Sequence, residues 1–399
     1  MPPSLLRPAL VLGLLAAVGP FAIDMYLPAM SAIGADLSAS PRAIQGTLVA
    51  YFAAFGVAQM VYGPWSDQAG RKPPLYAGLA VFLIGTALCA LAPDARWLTL
   101  GRLVQGLGGA AVMVIPRAVI RDLATGADAT RMMAAIMVVI SVSPMLAPLT
   151  GAALLAVADW RAIFWALMLA AGASLILTRA ALGETLPPAA RRPVEVRAML
   201  AGLRRLLTDR GFMTLTLLGG FGMASFFVFL AAASFVYTGQ FGLSPTGFSL
   251  AFALNAVGFF GASQLAARLG QAHGPVRVVV AATAGFAGTA VALFGLGLAG
   301  GATLPVTMTG LFLANAFLGL VIPTAMVLAL EEHGAIAGLA SSLGGTIQMV
   351  AGGAMIAAAG PFLDGTAVPM LGAIALCAAL AFLLSRLIPR QAAPARSAG

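Results

Sequence analysis

Long apolar runs alternate with short polar segments from one end of the chain to the other. A membrane-spanning helix needs about 20 mostly apolar residues. In the first half, charges separate six runs of that kind, at 9–33, 43–62, 75–92, 97–117, 132–156 and 162–180. In the second half, 211–267 and 278–330 carry no charged residue. Each is too long for one span and too short for three. GQFGLSPT at 239–246 and AGGATLP at 299–305 therefore read as breaks. The run 334–385 holds a single charge, Asp364, beside Pro361 and Gly365, and divides in two in the same way. The pattern predicts an all-α membrane protein of twelve spans. The longest polar segment, 183–210, is rich in Arg, contains Pro187, Pro188 and Pro193, and falls between the sixth and seventh spans. The expected organisation is a six-helix bundle over 1–182, a linker over 183–210, a second six-helix bundle over 211–390 and a disordered tail over 391–399.

Composition supports this reading. The chain is 61% hydrophobic and only 9% charged, with a mean hydropathy of +0.99; soluble domains are about 25% charged. The net charge of +9 comes almost wholly from Arg, since Lys72 is the only lysine. An even number of spans puts both termini on one side. All 22 Lys and Arg fall on that side except Arg42, Arg96, Arg161 and the intramembrane Arg102. By the positive-inside rule both termini and the linker are cytoplasmic, and the basic excess records orientation rather than nucleic-acid binding. The N-terminal run reads as a first span, not a cleaved signal. Cys89 and Cys377 lie in apolar runs and read as small core residues. The chain is expected to cross a membrane many times.

A faint repeat relates the halves. GPWSDQAGRKPPL follows the second span and ARLGQAHGPVRVV the eighth, and aligning Gly70 with Gly274 also superposes the first span on the seventh. Parallel six-span repeats are a transporter signature, with the substrate site between the halves.

Of the thirteen acids, only Asp24 sits well inside a span, and of the cations only Arg102 does. A carboxylate at that depth costs roughly 2.5–3.5 kcal/mol on insertion scales and marks a functional site by default. Asp24 is expected to pair with Arg102 and to carry a proton. Membrane enzymes need clustered ligands or a nucleophile with its base, and channels need a filter segment; neither pattern is present. His273 and His333 fall in loops, and Glu331-Glu332-His333 reads as a solvated turn rather than a metal site. No metal and no cofactor other than the proton is expected.

GPWSDQAGRKPPL is the most specific feature. Gly63 and Gly70 allow a tight turn, Asp67 can accept from a neighbouring helix N-terminus, and Arg71 and Lys72 face anionic lipid or Asp122. The segment resembles the G-x-x-x-D-x-x-G-R-[KR] signature of the major facilitator superfamily. GRLVQGLGGA, with Arg102, Gln105 and Gly106, resembles that superfamily's R-x-x-Q-G motif, whose arginine is implicated in proton coupling. SVSPMLAPLTGA resembles the G-P-x-x-G-G motif of drug antiporters at Pro148 and Gly151, with Pro144 upstream; Ala147 and Ala152 replace two glycines. DMYLPAM and PRAVIRDL are similar to the bicyclomycin-resistance (Bcr/CflA) branch, which includes chloramphenicol and florfenicol exporters. The resemblance implies a proton-driven drug antiporter working by alternating access. Its partners would be a lipophilic amphenicol- or bicyclomycin-like drug, protons and the bilayer, and the chain would act as a monomer. A proton-coupled exporter or importer of a small metabolite is the alternative. Expected cavity residues are Tyr26, Tyr51, Gln105, Met113, Phe226, Phe229, Asn255, Asn315 and Gln348, the polar or aromatic side chains at depth. Gating is expected from Gly63, Asp67, Gly70, Arg71, Lys72, Asp122, Pro144, Pro148 and Gly151.

Overall fold

A computed structural model describes residues 3–388 apart from 192 and 194; the expected disordered tail lies outside the described residues. Twelve spans are present, built from helices α1 (Pro3–Asp24) with α2 (Met30–Asp36), α3 (Pro41–Ala69), α4 (Lys72–Ala90), α5 (Ala95–Leu123), α6 (Gly126–Val157) and α7 (Arg161–Ala181), then α9 (Arg210–Gly239), α10 (Pro245–His273), α11 (Pro275–Leu298), α12 (Leu304–Glu331), α13 (Ala337–Ala359) and α14 (Ala367–Ser385). The segment expected as the linker, 183–210, contains one more helix, α8 (Val196–Thr208).

Local sequence sets the ends. Ser40 caps α3 by accepting from Ala43 N, and Pro41 fills the first turn, where a missing N–H costs nothing. Asp94 caps α5 through the amides of Arg96 and Trp97. Gly70 ends α3 at φ +95°, a conformation that side chains resist. α3 and α5 each run 29 residues, about 43 Å at 1.5 Å per residue. Both overrun the 43–62 and 97–117 read from hydropathy, and Arg71, just past α3, bonds the polar side chains of both extensions, Ser66 and Asp67 on α3 and Asp122 on α5.

In the first half α5 packs between α3 and α4, while α1 packs on α6 and α7; in the second, α12 packs on α10 and α11, and α9 on α13 and α14. Glycines let α4 and α5 touch: a Cβ on Gly85 would meet the Gln105 backbone, and one on Gly108 the Phe82 backbone. Such small-residue contacts replace the hydrophobic drive that lipid removes. The outer surface is apolar, with Leu169 76% and Ile176 69% exposed. In water that would be an aggregation surface; around a span it is the lipid contact. The halves meet along two seams, α3 on α13 and α6 on α10. Below, the basic face is the one carrying the α3–α4, α5–α6 and α7–α9 connections.

Candidate functional site

The first span is broken at its acid. Pro28 lies four residues after Asp24 and has no N–H to close the helical bond to the Asp24 carbonyl. α1 stops at Asp24, a 3-10 turn covers Leu27–Ala29, and α2 resumes at Met30. The broken end is held by Arg102 from α5. Its Nη1 donates to the Ala22 carbonyl at 2.8 Å and to Gln105 Oε1 at 2.6 Å. Gln105 Nε2 in turn donates to Thr86 Oγ1 at 2.8 Å. The guanidinium lies over the rings of Tyr51 and Tyr26, 4.4 and 4.8 Å from their centroids. It is 0% exposed, and among the described residues its Nε and Nη2 find no hydrogen-bond partner, so the rings serve that part of the group. A cation at a helix C-terminus also meets the favourable end of the macrodipole.

Magnitudes show why this holds. A hydrogen bond to a charged group contributes roughly 1.5–3 kcal/mol and a desolvated cation–π contact about 2 kcal/mol. Two of each offset the insertion cost of one arginine, roughly 2.5–3.5 kcal/mol, without a carboxylate. Accordingly Arg102 and Asp24 do not form the expected ion pair. Asp24 is 5% exposed, and among the described residues its side chain has no hydrogen bond or salt bridge. The carbonyl freed near the helix break has taken the place that the sequence suggested for the carboxylate.

The expected cavity residues divide accordingly. Tyr26, Tyr51 and Gln105 are buried in the arginine box, and Tyr26 Oη bonds Thr47 Oγ1 at 2.8 Å. Phe229 stacks on Phe252 inside the second bundle. Asn255 and Asn315 bond each other there, Nδ2 of Asn315 donating at 3.2 Å. Met113, Phe226 and Gln348 keep partial exposure.

Around the α3–α4 turn, Arg71 gathers an ion cluster. Its Nε and Nη2 donate to both Asp122 oxygens at 2.7 and 3.1 Å, and its Nη1 to Asp67 and Ser66. Burial by itself would lower the Arg71 pKa; the Asp122 and Asp67 carboxylates outweigh it and hold the group above its ordinary value. Lys72 Nζ caps the end of α7 at the Leu182 carbonyl, 2.7 Å away, rather than facing Asp122. Gly63 lies within α3, so the turn rests on Gly70 alone.

The seams are closed toward the face opposite the basic one. There Gln45 Nε2 donates to the Ala231 carbonyl, Ser31 bonds Thr238, and Phe52 stacks on Phe227 at 4.0 Å. Midway, Thr346 Oγ1 donates to the Gly56 carbonyl at 2.7 Å. On the second seam Ser249 Oγ donates to the Pro148 carbonyl at 2.9 Å. α6 stays helical through Pro144 and Pro148, and Gly151 lies against the broken span: a Cβ there would collide with the Met25 carbonyl. On the basic face the halves part around a cavity of about 400 Å³. Asp67 and Arg121 line it from the first half, Leu339 and Ser342 from the second, and Glu195 and Met199 from the linker.

A sequence profile described as Major Facilitator Superfamily matches residues 12–357. The chain belongs to the Major Facilitator Superfamily. It is 34% identical over 369 residues to an uncharacterized MFS-type transporter of Bacillus subtilis, YdgK, covering 92% of this chain and 91% of that one. It is 28% identical to a bicyclomycin resistance protein homolog of Haemophilus influenzae, covering 94% of each. Multidrug resistance protein D of Escherichia coli is 32% identical over 63% of this chain and 64% of that one. Among solved structures, the D-xylose-proton symporter superposes with TM-score 0.72 at 17% identity, over 97% of each chain, which shows the shared fold. This member of the superfamily is a multi-pass membrane transporter and not an enzyme.

Three features of the transporter had escaped sequence reasoning. Glu184, in the polar segment after the sixth span, accepts from the amides of Arg71 and Lys72 at 2.9 and 3.1 Å. It closes the start of α4. Burial pushes its carboxyl up, but the backbone donors of Leu186, Arg71 and Lys72 win and hold it below 4.5. The Phe52–Phe227 stack joins two aromatic runs of different halves; aromatic spacing alone cannot pair them. His333 is buried, not solvated: it packs edge-on against Phe212, with Nε2 3.6 Å from Asp209. The turn after α12 folds back onto the start of α9, and that puts the imidazole inside.

Proposed function

We propose that this transporter exports lipophilic drugs across a bacterial inner membrane in exchange for protons. The observation that carries the reading is Asp24: a deep carboxyl on the break of a discontinuous span, with its nearest candidate cation bonded elsewhere. A carboxyl in that position exchanges a proton with whichever side the central space opens to, because no fixed partner holds its charge. Arg102 supports the site indirectly by holding the end of α1 at Ala22. The multidrug and bicyclomycin resistance names of several relatives agree with a drug substrate, amphenicol- or bicyclomycin-like. The distribution of Lys and Arg supports placing the basic face in the cytoplasm. On that orientation the seams are shut outward and the 400 Å³ cavity opens inward. Drug enters there; protonation of Asp24 from outside drives release and return. The Arg71–Asp67–Asp122 cluster stays within the first bundle in this state, leaving Asp67 exposed toward α13 for the opposite one.

Inside-out vesicles from an efflux-deficient host test this, with drug uptake and lumenal pH followed together. The parent is expected to move drug and protons in opposite directions, and Asp24→Asn to lose uphill transport while still folding. Uphill drug transport by Asp24→Asn at the parent's rate sinks the proton assignment. Proton movement triggered only by a small metabolite, with no drug response, replaces the drug reading with the metabolite one.

A further inference from the structure

The helix α8 has an apolar stripe that the protein does not cover. Val196, Leu200 and Leu207 recur at intervals of four and seven and share one face, with half-buried Leu203 between them. They are 55%, 57% and 52% exposed. The face that meets the protein is a different one: Leu206 is fully buried, Gly202 comes close to Leu339 of α13, and Met199 lines the cavity described above. Along the outer edge of the stripe stand Arg197 and Arg204, seven residues apart, both exposed. Among the described residues neither has an acidic partner, and α8 itself contains no Asp or Glu.

Location selects the occupant. Asp209 ends α8 and, by accepting from Phe212 N at 2.7 Å, also caps α9. Leu207 is therefore three residues from the start of a membrane span, at the depth where headgroups lie. An amphipathic helix with an apolar stripe edged by arginines, at that level, has the chemistry of an interfacial element on an anionic leaflet. We propose that α8 lies in the headgroup layer, with Val196, Leu200 and Leu207 inserted and Arg197 and Arg204 holding anionic phospholipid headgroups. This needs neither the drug nor the proton assignment.

The test uses the full chain in nanodiscs, with Cys89→Ala and Cys377→Ala removing the two native thiols. An environment-sensitive fluorophore is placed on Leu200→Cys or, as the control on the polar face, on Ala201→Cys. Discs contain phosphatidylcholine alone or with phosphatidylglycerol, each with a lipid-borne nitroxide quencher. Expected are a blue-shifted emission and strong lipid quenching at 200, little at 201, and an increase at 200 when phosphatidylglycerol is present. Arg197→Gln with Arg204→Gln should bring quenching back to the phosphatidylcholine level while the melting temperature is unchanged. Quenching at 200 by iodide but not by the lipid nitroxide overturns the proposal. So does equal quenching in both lipids, or a disulfide between two copies at position 200, which would make a second chain the occupant.

Discussion

α3 and α10 are the same device built twice. Each is 29 residues long, begins with a capping serine and a proline (Ser40-Pro41, Ser244-Pro245), and ends on a glycine of positive φ, 95° at Gly70 and 84° at Gly274. Every one of these positions is related by the Gly70-to-Gly274 alignment. Their chemistry differs. Where α3 has Tyr51 over the Arg102 guanidinium, the repeat puts Asn255, bonded to Asn315 of α12. Where α3 and its turn have Asp67 and Arg71, the repeat has Gln271 and Pro275. Caps and breakers fix a backbone whatever the side chains between them do, so the two helices share their ends while their chemistry differs. Buried charge is costly in each copy that carries it, and among the described residues the buried carboxylate and arginines, Asp24, Arg71 and Arg102, all lie in the first half.

The sharpest break of that contrast is Arg102→Ala. It leaves the Ala22 and Gln105 oxygens unpaired, at about 1–3 kcal/mol each. A detergent melting temperature should fall by several degrees, with transport lost. Gly151→Val comes next: overpacking costs about 1–3 kcal/mol, and the blocking atom is the Met25 backbone. Fluorescence-detected chromatography should show little folded transporter. Asp122→Asn removes the charged bond to Arg71 while Asp67 remains, at about 1.5–3 kcal/mol; a wild-type melt would show that the cluster adds no stability. In the second half the effects should be smaller. A double-mutant cycle on Asn255→Ala and Asn315→Ala is expected to couple by about 0.6 kcal/mol. A coupling as large as the effects in the arginine box would erase the distinction between the halves.

The smallest effect is one of pH. Glu184 is held below its ordinary 4.5 in the folded chain. Its contribution is complete above 4.5 and disappears as pH falls through the lowered native value. Glu184→Gln should therefore lower the melting temperature slightly at pH 7 and converge on the parent at acid pH, flattening part of the acid limb of a melting-temperature profile. An unchanged acid limb would mean that the α4 amides do not depend on the carboxylate.

Twelve spans and the Gly70 turn were legible in the sequence because they follow from local causes: apolar length, proline, glycine and capping serine. The arginine of the α3–α4 turn was legible too, with Asp122 as its acid, since each stands at the end of its span. What Arg102 binds was not. Sequence shows two opposite charges at depth and suggests that they pair. A backbone carbonyl has no sequence signature, yet the end of α1 ahead of Pro28 leaves Ala22 O at hand, and two tyrosines, Tyr26 in the break and Tyr51 on α3, supply the rest. Likewise nothing local says that Phe52 meets Phe227, that Glu184 reaches the start of α4, or that α8 keeps a leucine stripe uncovered. Those depend on which helices become neighbours, and packing across the whole chain decides that.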